Sequence, residues 1–251
     1  MNKLKYVLLA MIIASSTTKV WSQKKIVDTS FDTWWSNINK FNLNENWYLT
    51  SELHFRRANG INDWQQFILR PALNYKLNAD VHLALGYSFI KNYPYGSQPI
   101  AIMTPENNVW EQVTLKHKTG KLSLSHRYRF EQRFIGKTVY NSTDFKPVID
   151  GTSYAHRFRY RLTMTLPLIE SGKVFMSGFN EVWINLDDKS VMPTSLNQNW
   201  AYVGFGYKFN SQGKLQLGYM NQLIKKGDGI HYENNHTLQF TIAYEFFKSV
   251  K

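Results

Sequence analysis

From Phe31 to the end of the chain, apolar and polar side chains alternate with a period of two, and this restricts the fold more than any other feature. In Trp47–Arg56, Trp47, Leu49, Leu53 and Phe55 share one parity, with Ser51 as the exception. Tyr48, Thr50, Glu52, His54 and Arg56 share the other. Gln65–Leu77 sets Phe67, Leu69, Leu73, Tyr75 and Leu77 against Gln66, Arg70, Asn74 and Lys76. The pattern returns in Val81–Phe89, Leu122–Phe134, Tyr154–Leu166, Val203–Phe209, Leu215–Tyr219 and Leu238–Phe246. A helix would repeat near 3.6 residues, whereas a period of two belongs to strands whose two faces meet different surroundings. Two segments are less regular. Val109–Lys118 is polar on both parities, and Lys173–Leu186 changes parity near Asn180–Glu181, which predicts a bulge there.

The connections alternate as well. Short ones fall at Asn42–Glu45, Asn78–Asp80, Thr119–Lys121, Pro167–Gly172 and Asn210–Gly213. Longer ones are interleaved with them at Arg57–Asp63, Tyr93–Asn108, Gly136–Thr152, Asp187–Asn197 and Lys226–Asn234. Outer-membrane barrels have short periplasmic turns and longer extracellular loops, an alternation that a Greek-key sandwich has no reason to produce. The expected fold is therefore all-β: an antiparallel up-and-down transmembrane β-barrel. An unpaired peptide group is costly in hydrocarbon, so such a sheet must close on itself. Eleven segments run from near Asp32 to near Phe247, and the turn pattern makes both the first and the last descend. Lys24–Phe31 would then bring the chain up, as a further strand or as a plug in the lumen. Even strand numbers prevail in bacterial barrels, so about twelve strands are expected, with ten as the runner-up.

The N-terminus carries Lys3 and Lys5, then an apolar run Tyr6–Ala14, then small and polar residues to Ser22. This is the layout of a cleaved secretory signal, and the run is too short for a spanning helix. Residues 1–22 are expected to be the signal peptide and 23–251 a single barrel domain, integral to the bacterial outer membrane. No cysteine follows the signal, which excludes lipoprotein processing, and no later run is long and apolar enough for a transmembrane helix. Aromatics make up 16% of the chain, which suits rings placed at the boundary between lipid and water. Loss of Lys3, Lys5 and Lys19 with the signal takes the formal charge from +12 to +9.

The chain resembles the bacterial outer-membrane β-barrel family catalogued as domain of unknown function 2490. The resemblance is carried by the tryptophan-bearing Asp32–Asn39, by Trp47–Arg57 with its paired arginines, and by Ser125–Phe134 (SHRYRFEQRF), His156–Leu162 (HRFRYRL) and Asn180–Leu186 (NEVWINL). It implies a fold and a location, and it brings no activity and no catalytic residues.

Arginines are the sharpest chemical feature. Arg127, Arg129 and Arg133 share one parity on one segment, and Arg157, Arg159 and Arg161 share one on the next. Antiparallel pairing is expected to set Arg129 opposite Arg157 and Arg127 opposite Arg159, with Arg56 and Arg70 joining from another hairpin. On a lipid face each would cost about 2–4 kcal/mol at the midplane, so the lumen is their expected place. Two consequences stand side by side. One is a narrow pore or binding barrel for small anionic solutes, because guanidinium forks suit phosphate and carboxylate. The other is a filled lumen in which Glu52, Glu131, Glu181 and Glu245 cross-link the arginines, with the extracellular loops contacting protein partners. Arginines inside a lumen cannot follow a nucleic-acid backbone.

Enzymatic signals are weak, and no catalytic residue or cofactor is expected. A lipid hydrolase would need His54, His126 or His156 to converge with a serine such as Ser123, Ser125 or Ser153 at the outer edge. His231, Glu233 and His236 lie close in sequence but read as ordinary loop polar residues, not as a metal site. Asp187 and Asp188 read as a solvated turn. Gly204 and Gly206 read as room for a lumen neighbour, since no helix follows to make a phosphate cradle.

Overall fold

The computed structural model describes residues 25–97, 99–187 and 196–247. The expected signal peptide, and Asp188 in the second-last loop, lie outside the described residues. Eleven strands are present among the described residues: β1 (Ile26–Asn42), β2 (Trp47–Ala58), β3 (Asp63–Lys76), β4 (Val81–Asn92), β5 (Thr104–Thr119), β6 (Leu122–Tyr140), β7 (Pro147–Pro167), β8 (Val174–Asn185), β9 (Leu196–Lys208), β10 (Gly213–Lys225) and β11 (His231–Phe246). Each pairs antiparallel with the next, and β1 closes the barrel against β11.

The count is one fewer than the expected twelve, and the closing pair is parallel, from Ile26 opposite His231 to Phe41 opposite Phe246. The inference that the first and last strands run in the same direction holds. The demand for an even number does not. No glycine or proline interrupts residues 25–42, so Lys24–Phe31 makes neither a separate strand nor a plug; its described part runs straight into β1. Two strands that descend together meet in parallel, and a parallel pair satisfies the peptide groups with only slightly weaker bonding.

The interior parity matches the polar register. Trp34 and Ser36 of β1, His54 and Arg56 of β2, Arg70 of β3, Ser88 of β4 and Arg129 of β6 are buried. Leu69, Leu85, Val203, Phe205, Leu217 and Leu238, on the opposite parity of their strands, are exposed on the outer wall. Outward rings pair across strands, as Tyr128 with Tyr160 at 5.1 Å and Phe134 with Tyr154 at 5.0 Å.

Several connections differ from expectation. The 59–62 connection is as tight as the turns at the other end, and most of Gly136–Thr152 is strand. There β6 and β7 continue as a paired hairpin past a register shift at Gly136/Thr138 to a tip at 141–146. Residues Thr104–Asn108, expected in a loop, open β5. The bulge expected at Asn180–Glu181 is not there. Phe175, Ser177, Phe179, Glu181 and Trp183 hold one parity, the β7 pairing is continuous, and the shift lies against β9 at Trp183/Ile184. Inward aromatic residues on β8 mimic a change of face.

Those inward rings need space, and glycine provides it. A Cβ on Gly206 would fall inside the Phe175 ring, and one on Gly204 would collide with the Tyr202 hydroxyl. Both glycines make room for a lumen neighbour, as their sequence context predicts. Tyr202 belongs to an interior cluster with Trp34, Trp183, Trp200 and Met220, and Phe179 is packed against it.

Candidate functional site

The arginines converge at the waist of the lumen. Their register follows the outward rings: with Tyr128 opposite Tyr160 and Phe130 opposite Phe158, Arg129 faces Arg159 and Arg127 faces Arg161. This is two residues away from the pairing expected from the sequence, because the β6–β7 hairpin turns beyond Gly136. Like charges directly opposed on a ladder are destabilising, so carboxylates must sit between them.

Glu131, 1% exposed, accepts from Arg157 Nε at 2.6 Å and from Arg159 Nη1 at 2.8 Å. Glu181, fully buried, accepts from Arg159 Nε at 2.9 Å and Arg161 Nε at 2.9 Å, and also from Arg127. Arg133 binds Glu106 through two bonds of 2.7 and 3.0 Å. Arg70 reaches Glu52 at 2.8 Å and Ser88 at 2.9 Å, and His54 lies between Ser36 at 2.8 Å and Glu52 at 3.0 Å. Beneath the guanidinium planes are rings: Trp183 under Arg159 at 3.6 Å, Trp110 under Arg129 at 3.8 Å and Phe179 under Arg161 at 4.1 Å.

Two arginines are held differently. Arg129 donates twice to Gln112 Oε1, at 2.9 and 2.7 Å, with the Glu131 carboxylate 3.9 Å from its Nη1. Arg56 donates to Gln66 Oε1 at 2.6 Å, stacks over Trp34 at 3.7 Å, and has no carboxylate partner among the described residues. A neutral amide and a ring face hold a guanidinium in place without cancelling its charge. Arg56, Arg70, Arg127, Arg129, Arg133, Arg157, Arg159 and Arg161 thus face Glu52, Glu106, Glu131 and Glu181, which leaves four positive charges over. Counting the buried Asp32 still leaves three, and the buried Glu233 is balanced by Lys226. The Asp32 carboxyl accepts from Ser30 at 2.6 Å and Gln65 at 2.8 Å.

Of the expected counter-charges, Glu52, Glu131 and Glu181 are in the network. Glu245 is not: it binds Lys40 at 2.5 Å and Asn42 at 2.8 Å near the short-turn end, because β11 carries it past the arginine level. Glu106, Gln66 and Gln112 belong to the site and were not foreseen. Glu106 sits in a stretch that opens β5 without a clear alternation of its own, and an amide acceptor leaves no mark in sequence.

The waist divides the lumen. Toward the long loops a cavity of about 310 Å³ is lined by Arg56, Trp34, Trp200 and Tyr95, among others. There Tyr95 donates to Glu233 at 2.9 Å, and burial, then the carboxylate beside it, pushes its phenol up. Toward the short turns a larger cavity of about 600 Å³ opens.

The other candidates do not converge. His126 and His156 face outward, stacked on Tyr160 and Phe130, and Asp187 binds the His156 ring at 2.9 Å rather than forming an isolated turn. No serine bonds to either histidine among the described residues, and Ser125 pairs on the inward parity with Thr163. His231 contacts Asp228, Glu233 points inward to Tyr95 and Lys226, and His236 stacks on Tyr219. Backbone N–H groups of His231 and Ile230 hold the exposed Asp228 carboxyl down to about 2.

An uncharacterized protein of Methylorubrum extorquens is 24% identical over 198 residues, covering 77% of this chain and 79% of its own. Among solved structures the NanC porin matches with a TM-score of 0.45 and 12% identity, over 76% of this chain and 80% of its own. The family model described as Protein of unknown function (DUF2490) matches residues 31–247, and the chain belongs to that family.

Proposed function

We propose that the protein is an integral outer-membrane barrel whose lumen binds small anionic solutes and admits them through a narrow, positively charged waist. The membrane location is supported by the outer wall, where Leu69, Leu85, Phe205 and Leu217 present an apolar surface that water would not tolerate at this extent. The observation that carries the anion reading is the excess of arginine over glutamate inside the lumen. In a narrow space with low-dielectric walls such an excess focuses field lines and concentrates counter-ions.

A structural network and an anion site are here the same residues. Glu131 and Glu181 hold the arginines in position, and Arg56 and Arg129 keep charge available. Because buried side chains crowd the waist, passage is restricted and the conductance is expected to be small. Purified protein in a planar bilayer under a salt gradient should show anion-selective current, and Arg129→Ala should lower the anion-to-cation permeability ratio severalfold. Cation-selective current, or selectivity unchanged in Arg129→Ala, contradicts the reading.

A second reading, contact with a protein partner, rests on the β6–β7 hairpin, whose tip exposes Tyr140 and Phe145. It gains support only from a partner whose capture depends on that hairpin.

A further inference from the structure

The cavity at the short-turn end is chemically distinct from the waist. Its lining contains Lys118, Lys121, Lys208, Lys214 and Arg161, and no aspartate or glutamate. Arg161 is already bound by Glu181, so the four lysines set the character of the space. Lys208 and Lys214 stand directly opposite each other on the β9–β10 ladder. A like-charged pair in that position is unfavourable by itself. Glu245, the carboxylate on the adjoining stretch of β11, is taken by Lys40. Among the described residues, no carboxylate forms an ion pair with any of the four lysines.

Hydroxyls and amides fill the gaps between the cations: Ser123, Thr163, Thr165, Ser177, Thr241 and Gln216. The aromatic residues of the lining do not offer a free platform for a ring. Phe179 is stacked on Tyr202 at 4.9 Å and carries Arg161 at 4.1 Å. The cavity offers charge and hydrogen-bond donors, and its volume lies within the usual range for small-molecule sites.

We propose that this cavity is a binding site for an oligophosphate, an anion bearing two or more linked phosphoryl groups, entering from the short-turn side. The flat fork of arginine matches carboxylate and phosphate alike, whereas lysine acts as a point charge that a tetrahedral phosphate can meet from several directions. Several lysines spread around the cavity, from the β5–β6 turn and from the β9–β10 hairpin, favour an anion whose charges are spread likewise. The strand residues of the lining have inward parity, so lipid headgroups outside the barrel do not reach them and the ligand is a soluble one. The site does not depend on whether anions pass the waist.

The test is calorimetric titration of the full protein in detergent micelles with tripolyphosphate, alongside inorganic phosphate and a tetracarboxylate of similar charge. Tripolyphosphate is expected to bind at least tenfold more tightly than either control. The triple substitution Lys118→Gln, Lys121→Gln, Lys214→Gln should weaken it at least tenfold, while Lys146→Gln, at the tip of the β6–β7 hairpin, leaves it within twofold. Equal binding of the tetracarboxylate by the unaltered protein overturns the phosphate assignment. Binding that survives the triple substitution, or that is lost equally in Lys146→Gln, overturns the location.

Discussion

Glu181→Gln should destabilise the barrel by about 3–5 kcal/mol, the usual consequence of removing one partner from a buried ion cluster. Glu181 is fully buried and accepts from Arg127, Arg159 and Arg161. The amide keeps the shape but replaces one acceptor oxygen with a donor that faces donors, and three guanidinium groups lose the charge between them. A buried pair is weak evidence of net stabilisation, because dehydrating the ions opposes their attraction. Breaking it is a different matter, since the desolvation has already occurred and the compensation is gone. The control is Glu245→Gln. Its salt bridge to Lys40 is partly solvent-exposed, with side-chain exposures of 35% and 28%, and such pairs contribute about 0–1 kcal/mol. Urea unfolding in micelles, followed by tryptophan fluorescence, should show a large fall in midpoint for Glu181→Gln and a small one for Glu245→Gln. Equal shifts would mean that the waist is solvated.

Trp34→Ala should cost a similar amount, about 3–5 kcal/mol, for a different reason. Trp34 is 2% exposed, meets the Trp200 ring edge-on at 5.3 Å and lies under Arg56. Its indole N–H donates to Gln65 at 2.7 Å, and Gln65 in turn donates to Asp32 at 2.8 Å. Truncation opens a cavity, leaves the Gln65 carbonyl without its donor and removes the face on which Arg56 rests. Trp35, the next residue, points outward and is 37% exposed. Trp35→Ala loses contact with lipid or detergent and leaves no cavity, so its midpoint should move much less. The two tryptophans are adjacent in sequence and identical in composition, and only the parity of the strand separates them. Similar losses for both would mean that Trp34 does not sit in a packed interior.

How much of this could be read from the chain depends on the range of the interaction. Parity is local: Tyr48, Glu52, His54 and Arg56 must face one way whatever surrounds them, so the faces of most strands were legible. Register is not local. The Arg129–Arg159 pairing depends on how far the β6–β7 hairpin runs before it turns, and a polar stretch such as 137–152 does not say whether it is paired. Strand β8 misled for a related reason. Phe175, Phe179 and Trp183 are apolar residues facing a polar lumen, where they lie beneath arginines or over glycines, so hydrophobicity no longer marks the outer side. Among the counter-charges, Glu131 and Glu181 could be placed from their position among arginines on neighbouring strands. Glu245 could not, because its height along the barrel depends on the parallel β1–β11 seam, and nothing in either segment alone announces that seam.

The central claim is that a closed sheet separates lipid from a polar interior, and the absence of native cysteine allows a direct measurement. Leu217 and Phe240 are paired neighbours facing outward, and Gln216 and Thr241 are paired neighbours lining the short-turn cavity. Four single-cysteine variants, reconstituted in liposomes permeabilised so that both ends of the barrel are accessible, would be treated with a charged, membrane-impermeant maleimide. Gln216→Cys and Thr241→Cys should be labelled, and Leu217→Cys and Phe240→Cys should be protected until the bilayer is dissolved and the protein unfolded. Uniform labelling, or the reverse pattern, would contradict the barrel in a membrane.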